Sequence, residues 1–199
     1  NNAGGVLGGR NLELVVGDTL CNAQASVGAA GKLVNVEQVV AIIGALCSGA
    51  TIGAANNVAI PAGVLMVSPA STSPEIAFLD DRDFVFRTAP SDAYQGIVLA
   101  KYVKSKGVDS VALTYVNNAY GVGLASVFRE AYIKEGGTIT GDRIHEEWKS
   151  SYRSELANLT SGKPEALVVL AYARTSGITI LRQSLVNGFF RQFFGADGM

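Results

Sequence analysis

The chain has 199 residues, 17% of them charged and 48% hydrophobic, and its formal net charge at pH 7 is -1. A chain of this length holds one large domain or two small ones, and buries roughly 70% of its unfolded surface on folding. The near-neutral balance, with no run of Lys or Arg, gives no basis for nucleic acid or an anionic membrane as partner.

The opening residues, NNAGGVLGGR, read as the end of a helix followed by glycine turns. No signal-peptide pattern is visible, so the chain reads as beginning inside a fold. Residues 12–16 (LELVV) read as a short apolar strand, ended by Gly17-Asp18-Thr19. Asn22 is placed to cap a helix running to about Asn35, with Ala25, Val27, Ala30, Leu33 and Val34 roughly on one face.

From Gln38 to Pro74 the chain carries no Asp, Glu, Lys or Arg. A run of ~20 apolar residues can span a bilayer. Here Ser48, Asn56, Asn57 and Pro61 interrupt the run, and Gly44, Gly49, Gly53 and Gly63 punctuate it at turn-like intervals. The stretch therefore reads as strand (39–44), helix (49–59) and strand (64–67) buried in an α/β core, with Ser48 at the helix N-cap. Ser73-Pro74-Glu75 starts another helical turn, and 84–87 is a short strand.

A second series follows. Ser91 or Asp92 caps a helix ending at Gly107; strands are expected at 111–116, 138–144, 166–170 and 192–194, and helices at 120–135, 151–160 and 175–186. This alternation predicts a doubly wound α/β architecture of parallel sheets with right-handed crossovers. The two series meet near Ala89-Pro90, which predicts two lobes, 1–89 and 90–199.

Ligands of open α/β sheets bind beyond the carboxyl ends of the strands. That rule selects Ser48, the segment 68–72, the segment 117–120, Tyr172 and Asp197. If the lobes face one another, these residues line one cleft. Ser48 and Thr72 offer hydroxyls near helix starts, where free N–H groups favour an anion; plain capping is the alternative. Asp197, on a glycine-rich loop, suits an ammonium group or a turn. Tyr120 and Tyr172 suit contact with a ligand or simple packing.

Catalysis has little support. No Ser-Xaa-Xaa-Lys occurs, and the one histidine, His145, lies in HEE and reads as solvated or structural. Neither a Walker A pattern nor Gly-Xaa-Gly-Xaa-Xaa-Gly is present. No enzymatic activity, cofactor or metal is expected. Cys21 and Cys47 form no CxxC motif, and their spacing leaves free and bridged states equally open.

Several segments resemble a known family. LCSGATIGAANNVAIPAGVLMVSPASTSPEI resembles the core of the leucine/isoleucine/valine-binding proteins, the solute receptors of bacterial branched-chain amino-acid ABC transporters. NNAGGVLGGRNLELVVGDTLCNAQ, FRTAPSDAYQG, NNAYGVGLA and ILRQSLVNGFFRQFFGADG match further segments in the same order. The resemblance implies the type I periplasmic binding protein fold, two Rossmann-like lobes closing on a ligand, here lacking the first βα unit and the C-terminal part. It implies that Ser48 and Thr72 hold an α-carboxylate by their hydroxyls and that the Ala70 carbonyl faces an α-ammonium. Asp197 then stands where family members place a glutamate that pairs with that ammonium, one methylene longer. Tyr120 and Tyr172 correspond to tyrosines that lie against the ligand. Cys21 and Cys47 match the family's disulfide pair, which implies an oxidising compartment. The implied protein is a monomeric periplasmic or extracellular receptor, lipid-anchored in some members. It delivers an amino acid, branched-chain or otherwise apolar, to a membrane permease. The alternative is a sensor of the same fold for an amide, an aromatic acid or another small metabolite.

Overall fold

The computed structural model describes residues 4–6 and 8–199. Residues 1–3 and Leu7, part of the segment read as a helix end, lie outside the described residues. The chain divides into two compact units. One holds the chain up to Ala70 together with Asp80–Thr88; the other holds Ser71–Leu79 and Ala89–Met199. The segment carrying Thr72 thus belongs with the second unit.

In the first unit, Val6 and Arg10 form an isolated antiparallel bridge. Helix α1 (Ala23–Asn35) starts at Asn22, whose side-chain oxygen accepts from the N–H groups of Gln24 (2.8 Å) and Ala25 (3.0 Å). Strand β1 (Ala41–Ile43) leads to α2 (Ser48–Ala54), a π-helical turn (Ala55–Ala59) and α3 (Ile60–Ala62), then β2 (Leu65–Ser68). Proline has no N–H and its ring crowds the preceding helical turn; the wide π turn just before Pro61 absorbs that misfit. Gly63, at φ 65°, turns the chain into β2. With β3 (Val85–Arg87) these strands form a parallel sheet in the order β1-β2-β3. The charge-free stretch is therefore a βαβ unit. Among the described residues no helix is long and apolar enough to cross a membrane.

Two expectations fail here. Residues 12–16 are not a strand; Leu12, Leu14 and Val16 are 66%, 83% and 83% exposed. A β-strand exists through its hydrogen-bonded neighbour, and no described strand pairs with this segment. Ser48 is not the N-cap of α2: Cys47 holds that place in extended backbone, and Ser48 is the first helical residue.

In the second unit a 3-10 turn (Pro74–Phe78) is followed by α4 (Asp92–Ser105), β4 (Ser110–Val116), α5 (Ala119–Lys134), β5 (Thr138–His145), α6 (Arg153–Leu159) and β6 (Ala166–Leu170). A π-helical turn (Ala173–Gly177), α7 (Ile178–Val186) and β7 (Phe193–Gly195) complete it. The sheet is parallel in the order β5-β4-β6-β7. Strand β6 (ALVVL) is buried along its whole length, as a parallel strand covered on both faces must be. Its alternate residues serve two cores. Ala166, Val168 and Leu170 pack with Leu124 and Phe128 of α5 and Leu99 and Val103 of α4. Leu167 and Val169 pack with Tyr152, Leu156 and Ile180. Helices α4 and α5 approach closely at Gly96, where a Cβ would stand 2.7 Å from Val127 Cγ1. This packing holds the N-terminus of α4 and the carboxyl ends of β4, β6 and β7 in one frame.

Candidate functional site

Ser48 and Ala70 belong to the first unit. Ser48 is buried, at the start of α2. The loop leading to it is pinned at the Ala45 carbonyl, which accepts from Thr51 Oγ1 (3.1 Å) and Ser68 Oγ (2.6 Å). A disulfide joins Cys47, the N-cap of α2, to Cys21, just ahead of α1, with a Cα–Cα distance of 5.3 Å. Ala70 is exposed beyond the end of β2, its N–H 3.4 Å from Ser68 Oγ.

The second unit brings four of the expected residues together. Thr72 Oγ1 donates to Asp92 Oδ2 at 2.8 Å, and the Asp92 N–H donates back to the Thr72 carbonyl at 2.9 Å. Asp92 is the first residue of α4 and is fully buried. Its Oδ1 accepts from Gln95 Nε2 at 2.9 Å. Gln95 Oε1 accepts the backbone N–H of Asp197 at 3.0 Å. The Tyr120 hydroxyl donates to Asp197 Oδ1 at 2.8 Å and accepts from the Gly198 N–H at 3.2 Å. The Tyr120 ring stacks on Tyr172, centroids 4.9 Å apart and planes 13° from parallel. Thr72, Tyr120, Tyr172 and Asp197 are thus linked through Asp92 and Gln95.

Local sequence explains each placement. Ser91 caps α4, accepting from the Ala93 N–H, so Asp92 falls in the first turn, where the helix dipole favours a carboxylate. Gln95 follows at i+3 on the same face. Asn118 caps α5, accepting from the Gly121 N–H at 3.0 Å, and so sets Tyr120 in the first turn. Glycine is needed at 198, where a Cβ would stand 2.5 Å from the Ala171 carbonyl oxygen and 2.8 Å from the Tyr120 hydroxyl.

The site is electronegative. Burial, then the neighbouring Asp197 carboxylate, holds the Tyr120 hydroxyl well above the usual phenol range. Tyr172 is raised by burial first, then by the carboxylates of Glu147, Asp197 and Asp92. Both tyrosines therefore stay neutral. Glu147 is held by Asn118 Nδ2 at 2.7 Å. Such a group of carboxylates suits the positive end of a ligand. Thr72 fits the same pattern, since its proton is committed to Asp92 and its oxygen then offers lone pairs. Thr72, expected to hold a ligand carboxylate, here donates its hydroxyl proton to Asp92.

His145 is buried, its Nδ1 2.8 Å from Thr114 Oγ1 and its Nε2 3.0 Å from the fully buried Ser176 Oγ. Burial lowers its pKa to about 4. Of the two roles expected for His145, the structure has the structural one. Among the described residues no group of three His, Cys, Asp or Glu side chains is placed to hold a metal ion. An open groove of about 470 Å³ borders Gln95 and Asp197 on the side of Tyr94, Val98 and Tyr102.

Asp92, Gln95 and Glu147 were not selected from the sequence as site residues. Asp92 was legible only as a cap, and the Asp-Xaa-Xaa-Gln spacing on the first turn of a helix is the signal that points to Gln95.

Comparison with known proteins agrees with this architecture. The family model described as periplasmic binding protein matches residues 1–198. The Leu/Ile/Val-binding protein of Escherichia coli (strain K12) is 29% identical over 199 residues, covering 100% of this chain and 53% of the relative. A leucine binding protein of Thermotoga maritima MSB8 superposes with a TM-score of 0.89 at 28% identity, over 96% of this chain and 53% of that one. A branched-chain amino acid transporter substrate binding protein of Streptococcus pneumoniae, in complex with isoleucine, gives 0.85 at 28% identity, over 98% and 54%. The chain spans about half the length of the curated relatives it matches.

Proposed function

The chain belongs to the periplasmic binding protein family, with the type I fold of its leucine/isoleucine/valine-binding members, and from that premise we propose that it serves an extracytoplasmic receptor for an amino acid. The ligand is branched-chain or otherwise apolar, and the receptor passes it to the permease of an ABC transporter. The family is one of solute binders rather than enzymes. The observation that carries the reading is the Asp197 carboxylate. It stands exposed at the end of β7, with Oδ1 held by Tyr120 and its backbone held by Gln95. That arrangement keeps Oδ2 for the α-ammonium.

Thr72 Oγ1 adds a second acceptor, and the stacked Tyr120 and Tyr172 rings supply an aromatic wall. The family resemblance adds Ser48 for the carboxylate and the Ala70 carbonyl for the ammonium. A ligand that gains contacts only in the closed state shifts the population toward closure, which is the state a permease reads. An aromatic acid without an amine leaves the carboxylate group unpaired, so the amino acid is the better fit.

Calorimetric titration of the protein with the twenty amino acids tests the reading, with a micromolar apolar amino acid as the expected binder. Absence of any such binder overturns it. Asp197→Ala is expected to weaken that binder by at least ~2 kcal/mol, because a desolvated ammonium loses its charged acceptor. An unchanged affinity removes Asp197 from that role.

A further inference from the structure

The proton positions along Thr72, Asp92, Gln95 and Asp197 have a direction. As a carboxylate Asp92 only accepts, and it takes one hydrogen bond from Thr72 and one from Gln95. Gln95, with its amide nitrogen spent on Asp92, turns its oxygen to the Asp197 N–H. Each choice forces the next. We propose that Asp92 and Gln95 are positioning residues that set the polarity of the site: they hold Thr72 as an acceptor and fix the Asp197 loop, so that the site selects a ligand's ammonium over an uncharged or anionic group. This rests on the amino-acid reading above and deepens it.

The relay makes a sharp prediction for Asp92→Asn. An asparagine can keep its oxygen toward Gln95 and turn its amide nitrogen toward Thr72. The bonds to Thr72 and Gln95 are then both kept. The Thr72 hydroxyl, however, now accepts from Asn and points its own proton outward. One atom pair is exchanged, a buried charge is lost, and Thr72 changes from acceptor to donor toward the ligand. Gln95→Leu acts differently. It leaves Asp92 its bond from Thr72 but releases the Asp197 N–H. Gln95 is half-buried, so this variant remains informative if Asp92→Asn fails to fold.

The test has two arms. In the ligand-free protein, amide hydrogen exchange at Asp197 is expected to accelerate at least tenfold in Gln95→Leu. In binding, the ratio of affinities for L-leucine and 4-methylpentanoate, its analogue without the amine, is measured for the wild type, Asp92→Asn, Thr72→Val and the double variant. The ratio is expected to fall at least tenfold in Asp92→Asn. Thr72→Val should lower it in the wild-type background and change it little in the Asp92→Asn background. A merely structural role for Asp92 weakens both probes alike and leaves the ratio unchanged, and that result overturns the proposal. So does unchanged Asp197 exchange in a folded Gln95→Leu protein. If leucine fails to bind the wild type while Asp197 exchange still responds to Gln95, the positioning relay is supported and the amino-acid reading falls.

Discussion

The two units solve the same problem with different means. Both are parallel sheets with helical crossovers, but in the second unit both faces of the sheet are covered, and β6 has no exposed residue. In the first unit the strands alternate between buried and exposed positions, and Val40, Ile43 and Leu46 are 92%, 83% and 66% exposed. The first unit carries the disulfide, and among the described residues the second holds two extended cores. The covalent tie acts on the first unit by restricting its unfolded chain, whereas apolar burial holds the second. The site residues follow this division. The hydrogen-bonded set lies on the frame of the second unit, whereas Ser48 follows a loop held at the Ala45 carbonyl and anchored by the bridge.

Three measurements sharpen that contrast. The largest effect is expected from Phe128→Ala. Phe128 is fully buried between α4, α5 and the sheet and stacks on Tyr132, so its loss should cost the second unit about 3–5 kcal/mol. Denaturation followed by amide exchange in each unit should show the loss in the second and little change in the first. A similar loss in both means that they unfold as one.

Next is Cys47→Ser, which should weaken the first unit by about 3 kcal/mol in the chain-entropy account of a closed loop. Protection of α1 and α2 is the readout, and reduction of the wild type should give the same result. Equal protection with and without the bridge removes the disulfide from its stabilising role.

The smallest concerns pH. The folded pKa of His145 is about 4 against an ordinary value of 6.5, because burial disfavours the charged imidazole. Below pH 6.5 the unfolded chain takes up a proton that the folded chain refuses. Stability from this group is therefore complete well above pH 6.5 and falls as the pH drops through 6.5 toward 4. Between pH 6.5 and 5 the loss should be roughly 1.5 kcal/mol in the second unit. Urea midpoints across that interval measure it, and His145→Asn should flatten the slope. A wild-type slope that survives this change places the titrating group elsewhere.

Much of this molecule was legible in the residues. Strand β6 reads directly from ALVVL, since only a sheet covered on both faces accommodates such a run. Asn22 and Ser91 mark their helix starts by side chains that satisfy free N–H groups. The carboxyl-end rule brought Thr72, Tyr120, Tyr172 and Asp197 onto one list before any contact was known. LELVV misled because apolar alternation signals a strand only when a neighbouring strand is there to pair, and that partner is a long-range fact. Ser48 misled more narrowly, because the cap falls on whichever residue the loop leaves extended, and here the loop ends at Cys47.

What the sequence determined by itself is the order of elements and the chemical types gathered at the strand ends. It also contains the Cys pair, though not by spacing that its bonding could be read from. Only the tertiary structure decided which way each proton points. Thr72 and Asp92 are twenty residues apart, and Gln95 and Asp197 are 102 residues apart. A hydroxyl donates or accepts according to its partner, and that partner is chosen by the packing of α4 against the ends of the sheet, which no local pattern encodes.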